Sequence, residues 1–532
     1  MLRRRTQPAA DSAATPAARP SPTPAALVLA AAAGALSLLS FEPFGWWPLQ
    51  LLALAYFFYQ VGVKNSPRHG LLLGWAFGFG WSVAGMHWLY IAVTRFGGLP
   101  AILGAISIAL LGLYMGLFGA FAGGAASWLR RKWSLPVPAF VLLVLPATWG
   151  VSEWLRGWVF TGFPWAASGY AHNANPLGGY APILGVYGVG ILAALCAGCL
   201  AMLTQRARWR WKAAGVFAAV MALGFGLKQI TWTHEVGQPL TVRLLQGDVR
   251  QDQKFDTAYL VEIIERYHAL VTAAPADLIA TPETAIPVTP QQLPDGYLAT
   301  LAGFARQTGS HLMIGIPTAD SPTQYSNSVI AFGPQGLNGI PYRYDKHHLV
   351  PFGEFIPPGF RWFTDLMHIP LGDQTRGKAL QAPFAVKDQL VLPNICYEDA
   401  FGEEIAGQLR NAPKPATLLL NVSNLAWYGD SVAIPQHLQI SQMRALETGR
   451  PMLRSTNNGA TAVIDGRGRV VQRLRFYERG VLEASVRGTA GFTPYIRIGN
   501  LGFLLLGGLM LAGAWLAGHR YRNRIKHAKS NG

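Results

Sequence analysis

The chain has 532 residues, of which 51% are hydrophobic and only 13% charged, whereas a soluble domain carries roughly 25% charged residues. A wholly water-soluble protein is therefore excluded. The net charge of +17 invites a nucleic-acid reading, and the placement of the charges along the chain removes it.

Residues 1–24, rich in Ala and Pro, read as a disordered tail. Residues 25–232 read as a membrane domain of seven spans, each near the ~20 residues that a bilayer core requires. The spans are Ala25–Phe41, Trp46–Val63, Leu71–Val93, Ala101–Leu129, Pro138–Leu155, Ile183–Leu203 and Ala213–Ile230. The fourth is long and Gly-rich, which predicts a tilted or broken helix. An eighth span, Asn500–Gly518, lies in segment 496–519, and residues 520–532 form a basic tail.

Cations orient these spans. With the N-terminus inside, the inner segments hold 18 Lys and Arg: Arg3 to Arg5 with Arg19, Lys64 with Arg68, Arg130 to Lys132, Arg206 to Lys212, and Arg520 to Lys529. The short outer loops hold only Arg95 and Arg156, the bias of the positive-inside rule. Outside those segments 26 of the 44 Lys and Arg remain against 27 Asp and Glu. The basic balance is thus a topology signal, and no nucleic-acid partner is expected. Both termini are expected on the cytoplasmic side of the membrane, and residues 233–495 on the outer side, which in a bacterium is the periplasmic side of the inner membrane.

That outer segment alternates strands with helices. Thr241–Gln246, Asp277–Ala280, His311–Ile316, Tyr325–Phe332, Gln389–Ile395 and Ala416–Val422 read as strands, and Tyr259–Thr272, Tyr297–Gln307 and His437–Thr448 as helices. The alternation predicts a layered α/β domain, whose chemistry collects just past strand ends. It has no phosphate-cradling glycine loop, so no cofactor is expected.

Three residues stand past strand ends or in polar loops: Glu283 in Thr281-Pro282-Glu283, Lys346 in Tyr344-Asp345-Lys346-His347-His348, and Cys396 in Asn394-Ile395-Cys396-Tyr397-Glu398. Cys396 is the only cysteine of the outer segment, since Cys196 and Cys199 lie in an apolar run. It has no disulfide partner there and is a candidate nucleophile. A carboxylate takes the thiol proton, the thiolate attacks an acyl carbon, and an ammonium stabilises thiolate and oxyanion. Each residue alone also has a structural reading: a cap, a surface ion pair, a buried thiol. Glu354 and Glu398 are candidates to orient Lys346 or bind a substrate amine. His347 and His348 lack a third ligand at metal spacing, so no metal is expected, and His437 is a weaker candidate partner for Cys396. Trp46, Trp47, Phe163, Trp165 and Trp232 are expected near the outer interface, as anchors or as the lining of a lipid entrance. Glu42 and Arg156 lie beside the outer loops, facing a headgroup or water.

Glu283 after its strand, Lys346 in YDKHHLVPFGE and Cys396 in NICYE resemble the Glu-Lys-Cys triad of the nitrilase superfamily. Combined with eight spans, with Glu153–Trp165 (EWLRGWVFTGFPW), with Gln246-Gly247-Asp248 and with Met443–Gly459, the pattern resembles the apolipoprotein N-acyltransferase family. Two positions depart from it: Leu425 stands where that family has Asp, and Phe355 where Tyr is common. The resemblance implies a nitrilase-like αββα sandwich inserted before the last helix of an eight-helix membrane bundle. It implies that Glu283, Lys346 and Cys396 are catalytic, with Glu354, Tyr397, Glu398 and Trp232 supporting the site or binding substrate. The implied reaction moves an acyl chain from the sn-1 ester of a phospholipid, typically phosphatidylethanolamine, through a Cys396 thioester to the N-terminal amine of a diacylated apolipoprotein, and the implied enzyme is a monomer. A membrane-tethered amidase with the same triad and a transporter with an outer sensor domain are the competing readings.

Overall fold

A computed structural model describes residues 21–204, 207–321, 323–337, 342–361 and 373–530. The disordered tail expected before Ala25 falls almost wholly on residues 1–20, outside the described residues, as do Arg3, Arg4, Arg5, Arg19 and Arg206.

The apolar half is helical. Pro24–Leu36 starts on a Thr23 cap and Pro67–Met86 on a Ser66 cap, each with Pro in its first turn, where a missing N–H costs nothing. Ala101–Trp133, Val137–Arg156, Pro176–Met202, Trp209–Leu227 and Leu501–Ala528 are long and apolar enough to cross a membrane. Helices Pro24–Leu36, Trp47–Val63 and Pro67–Met86 occupy the other three expected spans but are not among those five. The fourth expected span is an unbroken 33-residue helix. Its glycines serve contact: a Cβ on Gly119 or Gly123 would lie 2.3 or 2.2 Å from the carbonyl oxygens of Gly74 and Gly70. Small residues at this spacing let two apolar helices touch backbone to backbone. Helix Leu501–Ser530 runs on through the basic C-terminal stretch.

Among the described residues the other half has twelve strands: β1 (His234–Gln246), β2 (Leu278–Ala280), β3 (His311–Ser321), β4 (Gln324–Phe332), β5 (Tyr342–Asp345), β6 (Phe384–Val386), β7 (Gln389–Ile395), β8 (Leu418–Ser423), β9 (Met452–Thr456), β10 (Ala462–Ile464), β11 (Val470–Arg473) and β12 (Gly480–Ala490). They form two six-stranded sheets, ordered β12-β1-β2-β3-β4-β5 and β11-β10-β9-β8-β7-β6. Alternate residues separate the layers. Leu240, Val242 and Leu244 face the core shared by both sheets, while Leu245 joins Ile264, Leu301 and Ala305 under helices Thr257–Thr272 and Tyr297–Thr308. Ser455 ties the sheets, its Oγ donating to the carbonyls of Leu245 and Ala280, both at 3.0 Å.

On the far side, helix Ala433–Thr448 lies between the second sheet and the membrane helices, with almost every residue buried. A helix buried all round is ordinarily apolar, but this one carries Gln436, His437, Gln439, Ser441, Arg444 and Glu447. Its polar groups are used in docking. Gln436 Oε1 accepts from Trp165 Nε1 (2.7 Å), the Gln439 carbonyl from Asn173 Nδ2 (2.7 Å), and Glu447 Oε1 from the Val186 amide (2.7 Å). Val186 follows Gly185, whose φ of +66° breaks the helical path. Glu447 therefore caps the resumed membrane helix with a carboxylate, the charge that a helix N-terminus favours.

Candidate active site

Strand direction gathers the site. β1, β2 and β3 run parallel, as do β7, β8 and β9. β5 is antiparallel to β4, which is antiparallel to β3, so β5 ends on the same edge as β2. Glu283 follows β2, Lys346 follows β5, and Cys396 follows β7.

Lys346 is buried between two carboxylates, its Nζ 2.7 Å from Glu354 Oε1 and 3.2 Å from Glu283 Oε1. Asn327, on β4, donates its Nδ2 to the same two oxygens, at 2.7 Å to Glu283 and 3.2 Å to Glu354. The other Glu283 oxygen accepts the Asn424 amide (2.8 Å), and the Val350 amide donates to Glu354 Oε2 (2.9 Å). Cys396 is close enough to Glu283, Lys346 and Glu354 for all three charges to act on its thiol. Burial pushes that thiol up, Glu283 adds to the effect, and Lys346 opposes it. Burial also disfavours the charged forms of Glu283 and Lys346, but each is outweighed by the other. Glu283 is held below the usual carboxylate range by Lys346 and Lys254, and Lys346 well above the usual lysine range by Glu283 and Glu354. At rest the site therefore combines an ionised carboxylate, an ammonium and an un-ionised thiol: a base, an electrostatic stabiliser and a latent nucleophile.

Cys396 itself has φ +52°, a left-handed backbone at the sharp turn from β7 into the short helix Cys396–Ala400. A non-glycine residue holds this conformation only where its surroundings fix it. Glu398 supplies part of that frame. Its Oε2 accepts from the Ile395 amide (2.6 Å) and Tyr344 OH (3.0 Å), and its Oε1 from the amides of His347 (2.7 Å) and His348 (3.2 Å). Burial pushes this carboxyl up to about 7 against those amide bonds. The same side chain thus braces the Cys396 turn and the Lys346 loop.

Tyr397 donates its OH to the Gly162 carbonyl (2.9 Å), and His348 Nε2 lies 2.8 Å from the Thr161 carbonyl. Both partners belong to the segment Glu153–Trp165 of the helical half. Arg156 secures the end of that segment by donating to the carbonyls of Phe163 (3.0 Å) and Trp165 (2.5 Å) beside Glu153. Trp165 is no interfacial anchor. It is buried against Trp88 and stacks on the His437 ring, because the α/β half covers the position where a lipid interface was expected. Trp46 is exposed, as an anchor would be. Trp232 is not brought to the triad. It sits by Gly491, before the first residue of β1, and the site lies past the other end of that thirteen-residue strand, roughly 40 Å away at strand rise.

Two residues escaped sequence reading. Asn327 is one. The other is Lys254, buried past the end of β1, whose Nζ donates to the Glu283 carbonyl (3.0 Å) and whose charge reaches Glu283 and Cys396. Burial lowers it to about 8. The available signals were an Asn between two Ser residues in the polar first half of β4 and a Lys in the turn that links β1 to helix Thr257–Thr272. Leu425 is buried in the inter-sheet core with Cys396, so an apolar side chain fits its position.

Residues 33–199 match the family described as Apolipoprotein N-acyltransferase N-terminal domain, and residues 241–495 match Carbon-nitrogen hydrolase. The apolipoprotein N-acyltransferase of Ralstonia nicotianae is 48% identical over 510 residues, covering 95% of this chain and 97% of the relative. That of Nitrosomonas europaea is 43% identical over 500 residues, covering 92% and 97%. A solved amidase from Nesterenkonia sp. is 19% identical with a TM-score of 0.37, covering 50% of this chain and 94% of that one.

Proposed function

Since the chain belongs to the apolipoprotein N-acyltransferase family, and is thus an acyltransferase built on a carbon-nitrogen hydrolase domain, we propose that Glu283, Lys346 and Cys396 carry its reaction in two half-reactions. Glu283 takes the Cys396 proton as the thiol sulfur attacks the sn-1 ester carbonyl of a membrane phospholipid, with phosphatidylethanolamine the expected donor. The S–C bond forms and the ester C–O bond breaks. The electron pair and the proton held by Glu283 leave with the lysophospholipid hydroxyl. The N-terminal amine of a diacylated lipoprotein then attacks the thioester, Glu283 accepts its proton, and the thiol is restored. Lys346 and the amide of Tyr397, at the start of a short helix where N–H groups lack helical partners, stabilise the oxyanion in both steps.

The observation that carries this reading is the buried Glu283–Lys346–Glu354 cluster beside Cys396. An un-ionised thiol facing an ionised base is suited to react only when substrate arrives. The remaining assignments belong to the same reading: eight spans, cytoplasmic termini, a periplasmic domain, and a monomer. The orientation is supported by the cation bias of the loops, and the seating of the α/β domain by the close docking of helix Ala433–Thr448 on the membrane helices. An outer domain docked in this way meets two lipid-anchored substrates at headgroup level without extracting either.

The test is incubation of the purified protein with phospholipid alone, followed by intact-mass measurement. One acyl chain on Cys396 is the expected result. Unmodified protein, or an acyl chain elsewhere, overturns the reading.

A further inference from the structure

The backbone carbonyl of Cys396 accepts two buried side-chain donors, His437 Nε2 and Asn421 Nδ2, both at 3.2 Å. The partner of the other His437 nitrogen fixes its tautomer. Arg454 donates to Nδ1 at 2.8 Å, and a guanidinium can only donate, so Nδ1 is the acceptor and Nε2 carries the hydrogen. Arg454 is fully buried and is itself held by Asp399 Oδ2 at 2.9 Å, by Ser441 and by the Ala460 carbonyl at 3.3 Å. The imidazole is clamped from the membrane side by Trp165, stacked at 5.6 Å and 12°.

In a trans peptide the C=O and the following N–H point in opposite directions. Fixing the Cys396 carbonyl toward His437 and Asn421 therefore directs the Tyr397 N–H away from them. The φ of +52° at Cys396 is the kind of conformation that persists only when it is held in this way. We infer that His437 is a positioning residue: through the chain Asp399–Arg454–His437 it holds the Cys396–Tyr397 peptide so that the Tyr397 N–H binds the oxyanion of the tetrahedral intermediate. The role differs from the Cys-His pairing open to a histidine near a catalytic thiol, because the contact is to the cysteine carbonyl and no proton moves. The inference rests on the proposed thioester chemistry at Cys396.

The experiment compares His437→Phe, which keeps a ring under Trp165 but cannot donate, with His437→Gln, which restores a donor. Both are first shown to melt as folded protein. Two rates at Cys396 are measured: acylation by phosphatidylethanolamine vesicles, followed by intact mass, and alkylation by iodoacetamide. Alkylation needs the sulfur nucleophile but generates no oxyanion. Acylation in His437→Phe should fall about 100-fold, the usual effect of losing one oxyanion donor, with the concentration dependence on phospholipid and the alkylation rate unchanged. His437→Gln should recover at least tenfold of that loss. An unchanged acylation rate in His437→Phe, a parallel loss of alkylation, or a failure of His437→Gln to exceed His437→Phe each overturns the inference. If the unaltered protein forms no thioester, the proposed function fails instead.

Discussion

Lys346 is closer to Glu354 than to Glu283, 2.7 Å against 3.2 Å. The pair with Glu354 anchors the ammonium, and Glu283 shares it while keeping its second oxygen on the Asn424 amide. The two carboxylates therefore separate by function under substitution. Glu283→Gln should abolish the Cys396 adduct, a loss of about 10³-fold or more, because general-base contributions run about 10²–10⁴-fold. Glu354→Gln should slow adduct formation about tenfold, since an amide oxygen still holds Lys346. Single-turnover acylation followed by mass distinguishes them. Equal losses would mean that Glu354 shares the proton transfer.

Removing the ammonium is a different perturbation. Lys346→Met leaves Glu283 and Glu354 buried with like charge, and breaking a buried pair from one side costs about 3–5 kcal/mol. The variant should melt at a lower temperature, and the double variant Lys346→Met/Glu354→Gln should recover part of that loss while remaining inactive. Thermal unfolding in detergent measures both. A Lys346→Met protein of unchanged stability would contradict the coupling of these three side chains.

Two groups of the site make stability rise with pH, one in the acid range and one in the alkaline range. Glu283 is held below its unfolded-state value, so its contribution to stability is present above the usual carboxylate pKa and is lost as pH falls through its lower folded value. Lys254 is lowered to about 8 by burial. Between that pH and the usual lysine value the unfolded chain binds more protons, so this group makes stability rise with pH across that window. Its effect on rate runs the other way, because above about pH 8 Glu283 and Cys396 lose a neighbouring cation. Acylation should decline above that pH. Lys254→Met should be slower by about tenfold, equivalent to roughly one pKa unit of stabilisation, and should lack that decline. A pH–rate profile of adduct formation for both proteins is the measurement, and an identical alkaline limb in Lys254→Met would remove Lys254 from the site's electrostatics.

The sequence readily revealed what depends on local pattern. β2, β3, β4, β7 and β8 are apolar runs bounded by turn residues, and helices Thr257–Thr272 and Tyr297–Thr308 carry apolar faces at helical spacing. β9 to β12 escaped because their side chains are polar or short of alternation, and their pairing is set by neighbours far along the chain. Helix Gly402–Asn411 escaped because it opens on Gly402-Glu403-Glu404, which reads as a loop. Glu283, Lys346 and Cys396 could be named from short motifs at strand ends. Asn327 and Lys254 could not, since each matters only through a contact made across sheets or loops. Trp165 and Arg156 looked like residues of the membrane interface because composition reports apolarity, and composition cannot show that a protein surface covers them.

The three thiols should differ in use. Cys196 and Cys199 are buried in helix Ala181–Met202, and none of the three forms a disulfide. The Cys196→Ser/Cys199→Ser double variant should take one acyl chain from phospholipid at the rate of the unaltered protein, and Cys396→Ala should take none. Loss of the adduct in the double variant would assign the acyl group to the membrane helix.

Trp165 ties the two halves of the molecule at the back of Cys396. Its ring lies on His437, contacts Trp88 at 4.7 Å, and donates Nε1 to Gln436. Trp165→Ala opens a cavity in this junction, and a buried Trp to Ala change costs about 3–5 kcal/mol. Trp165→Phe keeps an aromatic face on the imidazole and loses part of the packing together with the bond to Gln436, the latter a cost of about 1–3 kcal/mol when the buried acceptor is left unpaired. Stability should therefore fall in both variants. Acylation should fall steeply only in Trp165→Ala, because only there is the imidazole free to turn and release the Cys396 carbonyl. Melting temperature and single-turnover acylation, measured on the same preparations, separate the two effects. If Trp165→Phe loses acylation as completely as Trp165→Ala, the hydrogen bond to Gln436, and not the ring on His437, carries the coupling between the membrane loop and the nucleophile.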